Sequence, residues 1–177
     1  MRAIVSMARG LARRFRHNRK GSAAVEFAMV APFFFALLFA IIEVAMIFFA
    51  SQVLETAVQD ASRLILTRQA QNASMTQDQF KIEVCKRLVS LFDCNIVRVD
   101  VQNYGSDFGT VSITTPIDSN KKFVDNMQYN IGKAGDIIVV RAFYQWPLFV
   151  IGLGFDASNL ADGKRLLSAT AAFRNEP

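Results

Sequence analysis

An uninterrupted apolar run dominates the first third of the chain. Residues 27–49 read FAMVAPFFFALLFAIIEVAMIFF, and Glu43 is the only charged residue among them. At about 1.5 Å per residue, a helix of this length measures about 35 Å and crosses a hydrocarbon core of about 30 Å. Apolar runs of about 18 residues or more are typical of membrane spans, with the buried helix of a soluble protein as the alternative. The pattern predicts a span at about residues 27–50.

The apolar pattern continues past the span but narrows to one face. Four apolar side chains recur at spacings of four, four and three residues, which is the repeat of an amphipathic helix. They are Val53, Ala57, Ala61 and Leu64. We therefore expect one helix over residues 22–71, whose apolar stripe packs on the rest of the chain or on neighbouring subunits.

Strand patterns occupy most of the remaining chain. Valines alternate with polar residues over 97–101, which predicts a strand that forms a hairpin with a second strand at 111–113. The apolar stretch Asp136–Trp146 predicts a central strand, and Arg165–Arg174 a last one. Residues 116–135 are polar and predict a surface loop. Together with the helices, these patterns predict an α+β fold with an antiparallel sheet of three or four strands.

Composition and charge give the chain a direction in the membrane. The sequence is 52% hydrophobic and 20% charged, and its apolar excess is concentrated in one run, which excludes disorder throughout and a multi-span membrane protein. Residues 1–21 hold seven of the 20 Lys and Arg residues and no acid; the rest has 13 basic and 15 acidic residues. The basic pI therefore describes a short leader and not a nucleic-acid surface. Positive charge before the span places the N-terminus in the cytoplasm.

The junction before the span has a distinctive order of residues. Charge stops at Lys20, Gly21 follows, and Glu26 is the one acid at the membrane edge. This order resembles the processing site of type IV prepilins. The stretch from Gly21 to Arg63, with its AAVEFA run, an early proline, a late acid and an Ala-rich helix, closely resembles the TadE-like pilin family of tight-adherence pili. The last nine residues, ATAAFRNEP, are also similar to TadE-like C-termini.

The resemblance implies that the leader is removed. An aspartic prepilin peptidase would cut between Gly21 and Ser22, where glycine suits a narrow protease cleft because it has no Cβ. Cutting there removes all seven leader charges, which otherwise tether the helix to the cytoplasmic face. A secretory signal fits less well, since the apolar run exceeds about 15 residues and no A-x-A site follows it. The alternative is a signal-anchor whose basic leader only sets orientation.

The resemblance also assigns subunit register and recognition to Glu26, with Phe27 beside it. In type IV pilins this acid is thought to pair with the N-terminal amine of an adjacent subunit. A carboxylate in an apolar bundle is costly unless it is paired, so such a pair aligns two subunits. The alternative is an acid exposed to water at the level of the lipid headgroups.

Two further residues stand out inside the span. Pro32 has no N–H to donate to the Ala28 carbonyl and should kink or loosen the helix. Glu43 is an acid within the apolar run, which by default suggests a function. Its partner would be a neighbouring pilin or the assembly platform; alternatively it stays wet near the outer interface.

The two cysteines lie in the region of a second predicted helix. A capping-box spacing at 76–79 and an apolar stripe predict this helix over about Gln77–Phe92. Outside the cytoplasm, Cys85 and Cys94 indicate a disulfide. Nine residues of continuous helix would hold their Cα atoms about 13 Å apart, whereas a disulfide needs less than about 7 Å. The helix must therefore end near Ser90 if the disulfide forms.

The sequence offers little support for an enzyme. The exported part has no histidine, its acids are dispersed, and no phosphate-binding loop is present. With two cysteines and His17 on the other side of the membrane, no metal site is expected, and no cofactor or small-molecule substrate is expected either.

These observations predict a structural subunit with three parts. They are a cytoplasmic leader (1–21), a membrane-spanning and amphipathic helix (22–71), and a small exported α+β domain (72–177). We expect a minor pilin or pseudopilin needed to assemble tight-adherence pili for surface attachment, since the main filament subunit of such pili is typically much shorter. It would be a single-pass protein of the cytoplasmic (inner) membrane, with the peptidase, other pilins and the assembly platform as partners. The alternative is an uncleaved, permanently anchored accessory protein.

Overall fold

The computed structural model of the protein describes residues 21–150 and 156–177. Its elements are, in chain order, helices α1 (Ser22–Leu66), α2 (Gln69–Asn72) and α3 (Gln77–Cys85), strand β1 (Arg98–Asn103), a 3₁₀ turn (Phe108–Thr110), and strands β2 (Ile137–Trp146) and β3 (Arg165–Arg174). The strands form an antiparallel sheet in the order β1-β2-β3, which confirms the α+β prediction. The predicted leader, apart from Gly21, lies outside the described residues. The chain divides into two compact units between Ile41 and Ile42.

The long helix α1 stops earlier than its sequence pattern predicts. It ends at Leu66, and Arg68 takes a left-handed backbone conformation with φ of 61°. That conformation breaks a helix, because a side chain with a Cβ crowds the following carbonyl there. The one-turn helix α2 follows it. The prediction of a continuous helix to residue 71 was therefore wrong at its end.

β2 is the central strand of the sheet, as its apolar sequence predicts. Nine of its ten residues are buried, and it pairs along its length with both neighbours. Val140 lies opposite Val101 of β1, and Ala142 lies opposite Ala169 of β3. The predicted last strand at Arg165–Arg174 is also confirmed.

The predicted hairpin between residues 97–101 and 111–113 was wrong. All six residues of β1 pair with β2, and the described chain forms no strand at 111–113. The carbonyl oxygen of nearby Thr114 instead accepts a 2.7 Å hydrogen bond from the Arg141 guanidinium. β1 thus pairs with β2, which is longer and more apolar than the stretch at 111–113. The backbone at Thr114 instead supplies a hydrogen-bond acceptor for the buried side chain of Arg141 in β2.

The second helix begins as predicted and ends earlier. In its capping box, Gln79 donates its N–H to the Thr76 hydroxyl (3.3 Å), and the Thr76 N–H donates to the Gln79 side chain (2.8 Å). The predicted end at Phe92 was wrong, because α3 stops at Cys85. The chain turns back there and places the Phe92 ring 4.8 Å from Tyr144 and 5.9 Å from Trp146 of β2.

The main core lies between one face of the sheet and the part of α1 that follows residue 42. The side chains of α1 in this core recur every three or four residues, which is the spacing of a single helix face. They are Ile47, Ala50, Leu54, Ala57, Val58, Ala61 and Ile65. A smaller cluster on the other face of the sheet contains Phe143, Leu160 and Leu166, with Phe123 from the preceding loop packed on it.

A buried ion pair joins β1 to β2. The Arg141 guanidinium donates to Asp100 at 2.6 and 3.0 Å, and the two side chains are 8% and 1% exposed. The Asp100 carboxylate also accepts from the Gln128 N–H at 2.8 Å and from Gln102 at 2.9 Å. Each charge thus has several partners, which is the condition for an ion pair to be tolerated inside a protein.

Replacing Asp100 by alanine is expected to lower the free energy of unfolding by about 3–5 kcal/mol, since Arg141 would remain buried without its counter-charge. The matched control is Asp125→Ala, which also removes an arginine's partner. Asp125 pairs with Arg98, and the two side chains are 49% and 38% exposed. Removing Asp125 should therefore lower the free energy of unfolding by less than about 1 kcal/mol. Denaturant unfolding of the full chain in detergent, followed by the fluorescence of the single Trp146, measures both. Equal losses in the two variants would contradict the expectation.

Candidate functional site

The first half of α1 exposes large apolar side chains on every side. Three successive residues, Phe33, Phe34 and Phe35, are 79%, 58% and 43% exposed, and at 3.6 residues per turn they already spread over more than half of the circumference. A helix that is apolar all round and unpacked requires a lipid or protein environment. Among the described residues, Ala23–Leu66 is the one helix long and apolar enough to cross a membrane, which makes α1 a candidate single span.

The junction residues lie at the start of this helix. α1 begins at Ser22, and Gly21 immediately precedes it and is exposed. A Cβ built on Gly21 would meet no atom within 4 Å, and its φ lies outside the left-handed region. The described structure therefore does not itself require glycine at this position. A requirement for glycine would have to come from a molecule that binds there.

Glu26, Phe27 and Pro32 lie on the exposed first half of α1. Glu26 is exposed one turn after Ser22, and the side chain of Phe27 is 67% exposed. Pro32 lies inside α1, which continues through it to Leu66; the kink stays a prediction. The structure thus places these three residues on one exposed part of α1.

Glu43 has a partner that sequence reasoning missed. Its side chain is 5% exposed, and its carboxyl group accepts hydrogen bonds from the backbone N–H groups of Phe149 and Val150, the latter at 3.1 Å. Neither an external subunit nor water is needed to satisfy it in this arrangement. The partner lies 106 residues away in sequence, and the only signal was the apolar stretch that begins at Pro147, directly after the strongest strand.

The chain's last residues hold the end of α1. The Glu176 N–H donates to the Leu66 carbonyl at 3.0 Å, at the last residue of the helix. Asn175 is 2% exposed, and its amide donates to the carbonyls of Ile131 (2.9 Å) and Lys133 (3.1 Å). These contacts give a structural reason for the ATAAFRNEP ending. The sequence pattern singled out that ending but suggested no contacts for it.

Cys85 and Cys94 are joined by a disulfide, with Cα atoms 6.0 Å apart. This separation is reached because α3 ends at Cys85, so that the intervening residues turn back instead of continuing the helix. The loop they close carries Val89 and Leu91, which are 42% and 44% exposed.

No catalytic arrangement is seen in the part of the chain that the structure describes. No group of three or more His, Cys, Asp or Glu side chains there is placed to hold a metal ion. The most buried of the ion pairs among the described residues, Asp100 with Arg141, is satisfied inside the fold. The exposed apolar side chains of α1 are the feature of the described residues that requires a lipid or protein partner.

A comparison with family models gives a match that covers most of α1. Residues 21–63 match the model described as TadE-like protein, which confirms the resemblance over that segment. The match begins at the glycine before α1 and covers about a quarter of the chain. A TadE-like segment indicates a protein associated with the tight-adherence pilus. Comparisons with curated proteins and with solved structures gave no match.

Replacing both Cys85 and Cys94 by serine is expected to lower the free energy of unfolding by about 2–3 kcal/mol, because the unfolded chain is no longer restricted by a short crosslink. Denaturant unfolding of the full chain in detergent measures the difference. A reductant should shift the wild-type protein by a similar amount and leave the double variant unchanged. The expectation fails if the oxidised wild type and the double variant unfold at the same denaturant concentration.

Proposed function

Starting from its TadE-like segment, we propose that this chain is a minor pilin or pseudopilin of the tight-adherence pilus. It is made as a precursor in the cytoplasmic membrane, with its N-terminus in the cytoplasm and its sheet domain outside. A prepilin peptidase cuts it between Gly21 and Ser22. The observation that supports the proposal is that three boundaries fall within residues 20–22. The last basic residue of the leader is Lys20, the family match begins at Gly21, and α1 begins at Ser22.

Charge explains why cutting there changes what the helix can do. The leader's seven cations interact with the anionic cytoplasmic leaflet, at about 1 kcal/mol for each residue near the surface. After the cut, the new N-terminus is the Ser22 amine, and Glu26 is the only charged side chain before Glu43. The mature helix is then held mainly by its apolar surface. Because a bundle of similar helices offers an equivalent environment, the subunit is able to pass from lipid to filament.

The exposed first half of α1 supplies the contacts for such a bundle. Ala24 and Ala28, then Ala36 and Ala40, lie four residues apart, and this spacing allows neighbouring helices to approach closely. Glu26 lies one turn after the new N-terminus, where its carboxylate pairs with the Ser22 amine of an adjacent subunit and fixes the register. The sheet domain remains outside the bundle and is available to partners at the cell surface.

The cleavage step predicts a mass difference. In envelopes of the native host, the mature wild-type chain should begin at Ser22, while Gly21→Val should retain Met1, since a branched side chain does not fit a cleft shaped for glycine. Gly10→Val, within the leader, is the matched control and should be processed normally. Intact mass or N-terminal sequencing distinguishes the forms. Wild-type protein that keeps its leader, while the peptidase processes its other substrates, would support an uncleaved accessory protein instead.

The register role of Glu26 predicts a defect in assembly alone. Glu26→Ala should insert and be cut normally, yet its amount in sheared pili should fall at least about tenfold, equivalent to about 1.4 kcal/mol per subunit contact. Glu55→Ala changes an acid of the same helix beyond the predicted span and should assemble as wild type. Immunoblots of pilus and membrane fractions give the ratio. Normal incorporation of Glu26→Ala would rule the pairing out.

A further inference from the structure

The sequence that follows β2 is unusually apolar. Residues 147–155 read PLFVIGLGF, without one charged or hydrogen-bonding side chain. Among its described residues, Leu148 packs into the core, while Phe149 is 81% exposed, the highest value for a large apolar side chain in the described chain. A loop facing water is expected to be polar, with turn-forming residues. The segment Pro147–Val150 therefore requires an apolar partner on its outer side.

The hydrogen bonds to Glu43 place this segment beside the span. Glu43 lies six residues before Phe49, which at 1.5 Å per residue is about 9 Å inside the end of the apolar run. Helical side chains tilt toward the N-terminus, so the carboxyl group lies at this level or deeper. Phe48 and Phe49, which follow Glu43 on the helix, are still 69% and 50% exposed. The backbone at Phe149 thus lies at a level where α1 itself faces its apolar surroundings.

Backbone outside helices and sheets that lies within the hydrocarbon core needs hydrogen-bond partners from the protein. Hydrocarbon offers no hydrogen-bond partner, so every N–H group that is not in a helix or closed sheet must be satisfied by the protein. The Glu43 carboxyl group accepts from two successive N–H groups, those of Phe149 and Val150. This arrangement accounts for an acid that is inside the apolar run and yet 5% exposed. The Glu43 carboxyl group supplies acceptors for the N–H groups of Phe149 and Val150, and these N–H groups supply the donors that a buried carboxyl group requires.

We propose that Pro147–Val150 inserts into the outer leaflet of the phospholipid bilayer and forms a second membrane contact beside α1. Glu43 is the positioning residue that holds the loop at that depth. The inference rests on the proposed membrane span. Lipid is the occupant we argue for, because the segment is bonded to an acid within the apolar run and its own side chains include none that could hydrogen-bond to a protein partner.

Spin labels on the full chain in phospholipid nanodiscs, one copy per disc, test the depth. The native cysteines are joined in a disulfide, so one new cysteine at a time can be labelled at Phe149, at Phe34 in the span, and at Phe108, which is 57% exposed on another loop. Relaxation by dissolved oxygen reports lipid, and relaxation by a water-soluble nickel complex reports water. We expect the label at residue 149 to lose its response to nickel, as at 34, and the label at 108 to keep it.

A second pair of variants tests the role of Glu43. In the chain labelled at residue 149, Glu43→Leu removes both acceptor oxygens, and the label should regain its response to nickel and move more freely. Glu43→Gln keeps one acceptor oxygen and should behave as the unsubstituted chain. A label that stays in lipid in Glu43→Leu would contradict the positioning role.

Each outcome separates the inference from the proposed span. If the label at 149 is in water while that at 34 is in lipid, the loop does not insert and the span stands. If both are in water, the span is wrong and the inference falls with it. If the label at 149 is shielded only when several copies share a disc, the surface binds a second copy and not lipid, which also overturns the inference.

Discussion

The packing of a single helix face on the sheet is the constraint on which the rest of the fold depends. From Glu43 onward, α1 buries one stripe of side chains, whereas its earlier residues are exposed on all sides. The same helix therefore has to satisfy two kinds of surroundings with one continuous backbone. It does so by changing pattern, from apolar all round to apolar on one face. Burial begins at Glu43, the first buried residue among the described side chains of the helix, and the change to one apolar face is complete after Phe49.

The parts of the fold that depend on local chemistry were predictable. The capping box at Thr76 fixes where α3 begins, and the long apolar runs of α1 and β2 determine their type whatever they pack on. The parts that depend on distant partners were not. The pairing of β1 with β2 joins stretches separated by a loop of more than thirty residues, and a nearer apolar stretch at 111–113 appeared equally suitable. The long apolar strand β2 and the buried pair of Asp100 and Arg141 together account for the position of β1.

The same distinction applies to the candidate site. The proposed junction at Gly21 can be read from the sequence, because the proposal rests on the order of charge, glycine and apolar residues along the chain. The partner of Glu43 cannot be read from the sequence. No residue near Glu43 indicates that its carboxyl oxygens accept hydrogen bonds from a segment more than a hundred residues later. Asn175 shows the same limit, because its role depends on backbone carbonyls of another loop.

The bond from Glu176 to the end of α1 has a consequence for biogenesis. Of the described elements, α1 is synthesised before the sheet that covers it, and β3 and the residue that closes the helix end are synthesised after β1 and β2. The apolar stripe of α1 therefore stays without its sheet until β3 has been synthesised. Until the sheet has formed, this uncovered stripe is the surface that a chaperone would shield.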